Sequence, residues 1–372
     1  MNSENSTILE AKNLQVKRGG VSVLDISYLG VPEGKVLCLI GPNGAGKSSL
    51  LLALSCLLKS SQGEIIFRGK KIGANYSLSA YRRNLAMVFQ EPLLFDTTVF
   101  ENVAAGLKIR NVKQDEIKRV VDEYLERFGI GHLANRSARK VSGGEAQRTS
   151  LARAFAIRPE IIFLDEPFSS LDPPTRESLM GDLELILRET RTTTIMATHD
   201  QMEALRLSDQ IAMMNEGKIM QIGCPAEVMN HPADEFVASF VGTETILSGK
   251  VIRRNAGTFS VSVAGSEIEA VGDASPGESV ILCIRPENVT VSTGSSKEIT
   301  SARNVFSSVV KKIIPSGAFY KVELDCGFPL VTYVTNNARE DLSMYPGMDL
   351  TASFKATAIH VIRKKLLPSA RE

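Results

Sequence analysis

The stretch GPNGAGKSS, at residues 41–49, has the composition and spacing of a loop that holds phosphate groups. It fits the pattern GxxxxGK(S/T) and lies between a short apolar run and a stretch of helical character. Glycines let backbone N–H groups converge on phosphate oxygens, and the following helix adds the positive end of its dipole. The lysine can reach the β and γ phosphates of a nucleotide, and the next hydroxyl can ligate Mg²⁺. The predicted phosphate contacts are Gly41, Pro42, Asn43, Gly44, Ala45, Gly46, Lys47, Ser48 and Ser49, with Ser48 also a metal ligand.

Two adjacent carboxylates, Asp165 and Glu166, follow an apolar run at residues 161–164. Functional groups in open α/β sheets lie at the carboxyl ends of the strands. There, Asp165 is predicted to hold Mg²⁺ through water, and Glu166 to polarise the water that attacks a phosphate. An acidic pair after a strand can also be a simple helix N-cap, and the phosphate loop is what favours the catalytic interpretation.

A second segment suited to an anion, VSGGEAQR, occupies residues 141–148. Its glycine pair and helix start again offer backbone N–H groups and a helix dipole to negative charge. The chain therefore carries two anion-holding segments, about a hundred residues apart.

The elements that position these segments alternate between strand and helix up to about residue 242. Apolar runs at 36–40, 161–164 and 194–198 are typical of strands buried on both faces of a parallel sheet. Residues 115–129 carry an apolar stripe at helical spacing, with Gly129 as the C-cap. The pattern predicts an α/β domain over residues 1–242.

The remaining residues, 243–372, have the alternating, Val-rich texture of a small all-β domain broken by Gly and Pro turns. Two segments within it look alike, and Pro276 to Arg285 spans the same interval as Pro346 to Lys355. We expect an internal repeat of two β-barrel halves, with the second at about 301–365, although any two strand-turn-strand units share some likeness. The Ser/Gly-rich stretch at 291–303 is interpreted as a linker between them.

Composition argues against several classes of function. The net charge is +1 and no dense Lys/Arg block occurs, so nucleic-acid binding is not expected. Five cysteines stand singly, which disfavours a disulfide scaffold or a zinc site and fits a reducing cytosol. The N-terminus lacks signal-peptide features, and the apolar runs are shorter than the roughly 18 residues of a membrane span. A membrane role is therefore expected only through a partner.

The order of the motifs over residues 8–242 closely resembles that of ATP-binding cassette (ABC) importer subunits. The motifs are the phosphate loop, VFQEP with Gln90, VSGGE, IIFLDEP, SSLD ending at Asp172, and ATHD with His199. The resemblance implies an α/β P-loop NTPase cassette with a helical subdomain at about 91–157, which binds ATP and Mg²⁺ and hydrolyses ATP.

The resemblance also implies roles that the residues alone do not carry. Gln90 contacts Mg²⁺ and the attacking water and senses the permease, and His199 contacts the γ-phosphate beside Glu166 as a third catalytic residue. Taken alone, a histidine in this position is more often a surface or core residue, and it could also simply cap the following helix.

In this family two subunits pack head to tail, and each nucleotide lies between one phosphate loop and the other chain's signature helix. The resemblance thus assigns Ser142, Gly143 and Gly144 to the partner's nucleotide, and Asp172 to the loop that crosses between subunits. Two features depart from the family pattern: Glu145 replaces the usual Gln, and QVKRGGVSV lacks the aromatic that stacks on adenine. Arg18 could stack there through its planar guanidinium.

The β domain resembles the TOBE or molybdate-binding-like domains of importer ATPases. SARN offers Ser301 and Asn304 with their backbone amides, and Lys355 and Thr357 add a charge and a hydroxyl; a tetrahedral oxyanion needs several such donors. By resemblance the candidate regulatory oxyanion ligands are Ser301, Ala302, Arg303, Lys355 and Thr357, the alternative being a purely structural lobe. His360 is expected to pack or cap within the final strand.

These features together predict an ATPase subunit that powers import of molybdate or tungstate. Its partners would be a second copy, an integral-membrane permease and, indirectly, an external oxyanion-binding protein, with the chain peripheral on the cytoplasmic face of the cell membrane. The same machine could serve sulfate, Fe³⁺, a polyamine or a sugar. A soluble ABC ATPase outside transport and a non-enzymatic oxyanion sensor are the remaining alternatives.

Overall fold

The computed structural model describes residues 6–294 and 301–363. The chain divides into two compact units, Met1–Pro225 and Ala226–Glu372. The sequence placed this boundary later, between residues 242 and 243. The difference arises because residues 226–242 pack on the β unit: Ala238 joins the cluster of Ile281 and Cys283.

The first unit alternates strands and helices as the sequence predicts. Its strands are β1 (Thr7–Arg18), β2 (Val21–Pro32), β3 (Val36–Ile40), β4 (Gln62–Phe67), β5 (Lys70–Lys71), β6 (Leu85–Val88), β7 (Ile161–Asp165), β8 (Thr193–Thr198), β9 (Gln210–Asn215) and β10 (Lys218–Gly223). Its helices are α1 (Lys47–Leu54), α2 (Leu78–Arg83), α3 (Val99–Ile109), α4 (Gln114–Arg127), α5 (Gly143–Ala156), α6 (Pro173–Thr190) and α7 (Gln201–Leu207).

Two sheets form the frame of this unit. The six-stranded sheet has the order β10-β9-β3-β8-β7-β6, in which the neighbours from β9 to β6 run parallel. A four-stranded antiparallel sheet has the order β2-β1-β4-β5. Every residue of β3 and β8 is buried, which explains why their sequences do not alternate between apolar and charged residues.

The helical segment of the unit consists of α3, α4 and α5 and lies within the predicted interval of 91–157. Helix α4 buries the predicted stripe, including Ile117, Val121 and Leu125. Gly129 follows the helix with φ +67°, a left-handed conformation that ends helices at low steric cost. Local pattern was therefore sufficient to place this helix.

The second unit is mostly β, as predicted. Its helices are α8 (Pro225–Asn230), which begins at the last residue of the first unit, α9 (Glu235–Phe240) and α10 (Asn336–Asp341). Its strands are β11 (Thr245–Arg254), β12 (Thr258–Val263), β13 (Ser266–Val271), β14 (Ser279–Ile284), β15 (Thr290–Ser292), β16 (Asn304–Ser316), β17 (Phe319–Asp325), β18 (Pro329–Thr335), β19 (Asp349–Phe354) and β20 (Ile359–Arg363).

The strand order of this unit supports the predicted internal repeat. Its two five-stranded sheets have the orders β13-β12-β11-β14-β20 and β15-β19-β16-β17-β18. Strands β11 to β15 thus correspond to β16 to β20, and each half gives its last strand to the sheet of the other. Bulges occur at Val251 and Val310, whose carbonyls accept hydrogen bonds from Gly277 and Gly347 at 2.8 and 2.7 Å. The same irregularity at matching positions favours a true repeat over a chance likeness.

The expected linker at 291–303 is only partly irregular. Its first residues belong to β15, which pairs with β19, and residues 295–300 of it lie outside the described residues. His360 lies on β20, where its Nε2 is 2.8 Å from the Pro232 carbonyl oxygen, a packing and capping role of the expected kind.

None of the helices within 6–294 and 301–363 combines the length and apolar composition needed to cross a membrane.

Candidate functional site

The carboxyl edge of the parallel sheet gathers the predicted nucleotide residues. Strand β3 pairs with β8 so that Ile40 lies beside Thr198, and β7 pairs with β8 so that Asp165 lies beside Ala197. The phosphate loop, the acidic pair and His199 therefore leave the sheet at the same edge. Such an edge is where open α/β sheets bind ligands.

The phosphate loop is held close to the strand next to it. Gly41 has φ +154°, and a Cβ there would lie 2.2 Å from the Met214 carbonyl oxygen, so no larger residue fits. Gly44 has φ +83° and open space where a side chain would stand. The loop is thus packed tightly against the sheet at Gly41 and has open space at Gly44, so that its backbone N–H groups can approach a phosphate.

Lys47 lies at the start of α1 and is 5% exposed. Its ammonium donates hydrogen bonds to the carbonyl oxygens of Gly41 and Pro42 at 2.8 and 3.1 Å. Burial lowers the pKa of Lys47, while the nearby carboxylates of Glu166 and Asp165 act in the opposite direction. The loop therefore holds a desolvated ammonium group whose hydrogen bonds, among the described residues, go to backbone carbonyls and not to a carboxylate.

Ser48 and Asp165 form an oxygen pair next to this lysine. The Ser48 hydroxyl donates to Asp165 Oδ1 at 2.8 Å. Burial raises the pKa of Asp165, and the Ser48 hydrogen bond opposes that change. A hydroxyl and a carboxylate are hard oxygen donors of the kind that Mg²⁺ prefers, so the residues present fit this ion.

Glu166 stands in a left-handed backbone conformation with φ +45°. Its Oε2 lies 3.2 Å from His199 Nδ1, and its N–H donates to the Ala197 carbonyl at 2.9 Å. The carboxylate is 15% exposed, whereas the His199 ring is 54% exposed. The structure thus brings together two of the three side chains that are assigned to hydrolysis. Gln90 is exposed in the loop after β6, the strand that pairs with β7.

The signature segment lies on a different surface of the first unit. Ser142, Gly143 and Gly144 line a cavity of about 780 Å³ together with Asp172, and no phosphate-loop residue is among its lining residues. Asp172 is the N-cap of α6, and its Oδ2 accepts from Thr175 N–H at 3.3 Å. Hydrogen bonding to Thr175, first to its side chain and then to its backbone N–H, lowers the pKa of Asp172. The phosphate loop and the signature segment of one chain therefore do not line a common cavity.

The candidate oxyanion residues lie at the ends of two paired strands. Asn304, the first residue of β16, pairs with Phe354, the last residue of β19. Arg303 and Lys355 therefore lie just beyond the adjoining ends of these two strands. The Asn304 side chain clamps the backbone of Glu269, accepting from its N–H at 2.8 Å and donating to its carbonyl at 2.9 Å. The five candidates are one half-buried residue, Ala302, and four exposed ones, Ser301, Arg303, Lys355 and Thr357.

Comparison with known proteins matches both units. The ABC transporter family model matches residues 24–169, and the TOBE domain model matches residues 300–361. A molybdate/tungstate import ATP-binding protein of Pyrococcus horikoshii is 37% identical over 89% of this chain and 93% of its own length. The chain belongs to the ABC importer ATP-binding family. The predicted fold class and the ATPase identity are thereby confirmed.

Two further relatives show how broad this ABC family is. A spermidine/putrescine import ATP-binding protein of Clostridium novyi is 36% identical over 76% of this chain and 80% of its own length. The solved structure of CbiO1 from Clostridium perfringens, part of the ABC transporter complex CbiONQ, has a TM-score of 0.56 and 32% identity. It covers 64% of this chain and 95% of its own.

The ABC ATPase positions His199 with residues that the sequence analysis did not single out. Thr198 donates to Glu203 and accepts from the Asp200 N–H at 3.0 Å, and Asp200 caps α7. Arg176, near the start of α6, pairs with both acids at 2.5 Å. Asp before a helical run is a recognisable N-cap, but no sequence signal identifies Arg176 as the link between α6 and α7.

Glu145, the departure from the family signature, completes a capping box. Its carboxylate accepts from the Ser142 N–H at 2.7 Å, and its own N–H donates to the Ser142 hydroxyl at 3.3 Å. The Ser142 N–H lowers the pKa of Glu145. A glutamine makes the same box, so both residues suit this position.

We therefore expect Glu145→Gln to change the melting temperature by less than about 2 °C and Glu145→Ala to lower it by about 2–4 °C. Because the folded-state pKa of Glu145 is lowered, its carboxylate stabilises the fold above its ordinary pKa and loses that effect as pH falls. Calorimetry of the wild type and Glu145→Ala should show a gap that narrows in acid. A larger loss for Gln than for Ala would contradict the capping role.

Proposed function

We propose that this chain powers the import of an oxyanion, molybdate or tungstate, and that its β unit senses the same anion. The chain is similar to both a molybdate/tungstate and a polyamine import protein. We therefore choose between these cargoes from the chemistry of the candidate oxyanion-binding residues. The observation that carries the proposal is the register of β16 and β19, which pairs Asn304 with Phe354 and so places Arg303 and Lys355 just beyond the adjoining ends of the two strands. Two adjacent cations attract an oxyanion and repel a polyamine.

In the proposed reaction Lys47 binds the β and γ phosphates of ATP, aided by backbone N–H groups of residues 41–49. Ser48, Asp165 and Gln90 hold Mg²⁺, which when bound neutralises charge on the phosphates. Glu166 accepts a proton from the attacking water, and His199, 3.2 Å away, orients that carboxylate and contacts the γ-phosphate.

The separation of the two anion-holding segments supports a head-to-tail dimer. Because no phosphate-loop residue is among the residues that line the signature cavity, its Ser142, Gly143 and Gly144 are proposed to contact a nucleotide held by a second copy. Asp172 lines the same cavity, and we propose that the partner contacts it there. Twofold symmetry then gives two equal composite sites, and turnover depends on both chains.

The loop after Gln90 offers a docking surface for a permease. Leu93 and Phe95 are 59% and 56% exposed, although both are apolar. Exposed apolar side chains near a functional residue are typical of protein interaction sites. Docking there would place the chain on the cytoplasmic face of the membrane, with an external oxyanion-binding protein on the other side.

Titration of the full chain tests the anion chemistry. We expect molybdate and tungstate to release heat on binding, spermidine to release none, and Lys355→Ala to weaken metalate binding at least tenfold by removing a charge. Lys311→Ala is the matched control, because Lys311 pairs with Asp325 on the surface of the same unit. Isothermal calorimetry measures all of these.

The alternatives have distinct outcomes. Tighter binding of sulfate than of molybdate would favour a sulfate importer, and heat with spermidine alone would favour a polyamine importer. If no metalate binds, the sensing role is wrong, and the molybdenum content of cells that lack this chain decides the cargo.

A further inference from the structure

Gln147, on the signature helix α5, is buried without partners. It is 1% exposed, and within residues 6–294 and 301–363 neither its Nε2 nor its Oε1 has a hydrogen-bond partner. Buried amides are nearly always paired, because desolvation of an unpaired polar group is unfavourable. An apolar side chain of similar size would suit this position better in the structure described.

The other buried side-chain amides behave differently. Asn102 is fully buried and clamps Phe95, accepting from its N–H at 2.7 Å and donating to its carbonyl at 3.0 Å. Asn304 clamps Glu269 in the same two-bond manner. Each holds one backbone residue of a neighbouring segment through both of its polar groups. Gln147 has the same chemistry without a clamped residue.

The position of Gln147 indicates which segment it could clamp. It lies one helical turn after Gly144, on the same face of α5. A Cβ on Gly144 would lie 2.6 Å from Thr175 Cγ2 and 3.9 Å from Leu171 Cδ2, so this face packs on the segment that precedes and begins α6. Long helical side chains point back toward the helix N-terminus, which directs the amide toward the loop at residues 166–172.

That loop joins the two chemical surfaces of the unit. It begins at Glu166, whose carbonyl accepts from the N–H and the hydroxyl of Ser169 at 3.2 and 3.1 Å. It ends at Asp172, which caps α6 beside the signature cavity. A shift of the loop therefore moves the carboxylate that faces His199.

We propose that Gln147 is a positioning residue for ATP hydrolysis, whose amide clamps a backbone residue of the loop at 166–172 in the hydrolysing state. In the resting arrangement the unpaired amide is unfavourable. In the hydrolysing arrangement the amide forms two hydrogen bonds to the loop, and these favour the position of the loop in which Glu166 is correctly placed. The proposal rests on the assignment of Glu166 as the general base.

The test compares Gln147→Leu with Asn102→Leu in the full chain. Without nucleotide, Gln147→Leu is expected to raise the melting temperature by about 2–4 °C, because it removes an unsatisfied polar group. It is expected to lower kcat about tenfold while leaving the KM for ATP within twofold. Asn102→Leu should instead lower the melting temperature, because it leaves both backbone groups of Phe95 without partners.

Gln147→Met repeats the experiment with an unbranched side chain, so that poor fit of leucine does not decide the outcome. A lower melting temperature for both Gln147 variants would overturn the proposal, since the amide would then be satisfied at rest. An unchanged kcat in a stabilised variant would also overturn it. If Glu166→Gln retains full turnover, the assignment of Glu166 as the general base is wrong. The Gln147 variants test the clamp separately, so failure of the clamp and failure of the base assignment give different results.

Discussion

Glu166→Gln is expected to lower the rate of ATP hydrolysis by about 10³-fold while ATP binding stays within about twofold. The amide keeps the size and the left-handed backbone position of the side chain, with φ +45°, but it cannot accept a proton from water. Its oxygen can still face His199 Nδ1, which lies 3.2 Å from the carboxylate. Steady-state phosphate release and calorimetric ATP titration measure the two quantities separately.

Glu216→Gln is the matched control for this prediction. Glu216 also has φ +45°, and it lies exposed in the turn between β9 and β10 at the same edge of the sheet, where the N–H of the next residue, Gly217, donates to the Ala45 carbonyl at 2.9 Å. It therefore controls for the loss of a carboxylate near the phosphate loop that is not assigned to the reaction. We expect its replacement to leave turnover unchanged. Hydrolysis by Glu166→Gln at more than a tenth of the wild-type rate would show that another group accepts the proton.

Much of the nucleotide site could be predicted because its signals are local. The phosphate loop, the acidic pair and the signature glycines each carry their chemistry in fewer than ten consecutive residues. Buried parallel strands also give continuous apolar runs, so β3, β7 and β8 were placed almost to the residue. The sheet order then brings three separated motifs to one edge, which periodicity alone does not reveal.

Features that depend on contacts between distant residues were not accessible from the sequence. Arg176 meets Glu203 across two helices, and charged residues at such spacing are common on any helix surface. The exchange of β15 and β20 between the two sheets is equally hidden, because a strand's sequence does not identify its partner. The unit boundary differed for the same reason: Ala238 is buried against strands that come more than forty residues later.

Lys47→Met is expected to weaken ATP binding by about 100-fold, or about 2.8 kcal/mol. Methionine fills the space of the lysine stem, which is 5% exposed, so the loss is electrostatic rather than a loss of packing. At rest the ammonium is bonded to the carbonyl oxygens of Gly41 and Pro42, and burial lowers its pKa. Phosphate oxygens carry a negative charge that the two carbonyls lack. The Lys47 ammonium therefore forms stronger hydrogen bonds in the ATP complex than in the free chain.

Lys35→Met separates this site effect from a general loss of positive charge. Lys35 is half-exposed and pairs with Asp209 at 2.8 Å at the opposite end of β3. Its replacement should leave ATP affinity within twofold, since its charge is screened by solvent and already paired. Equal losses in both variants would mean that net charge, and not the phosphate loop, governs ATP binding. A loss confined to Lys47→Met, with an unchanged melting temperature, would assign the effect to contact with phosphate.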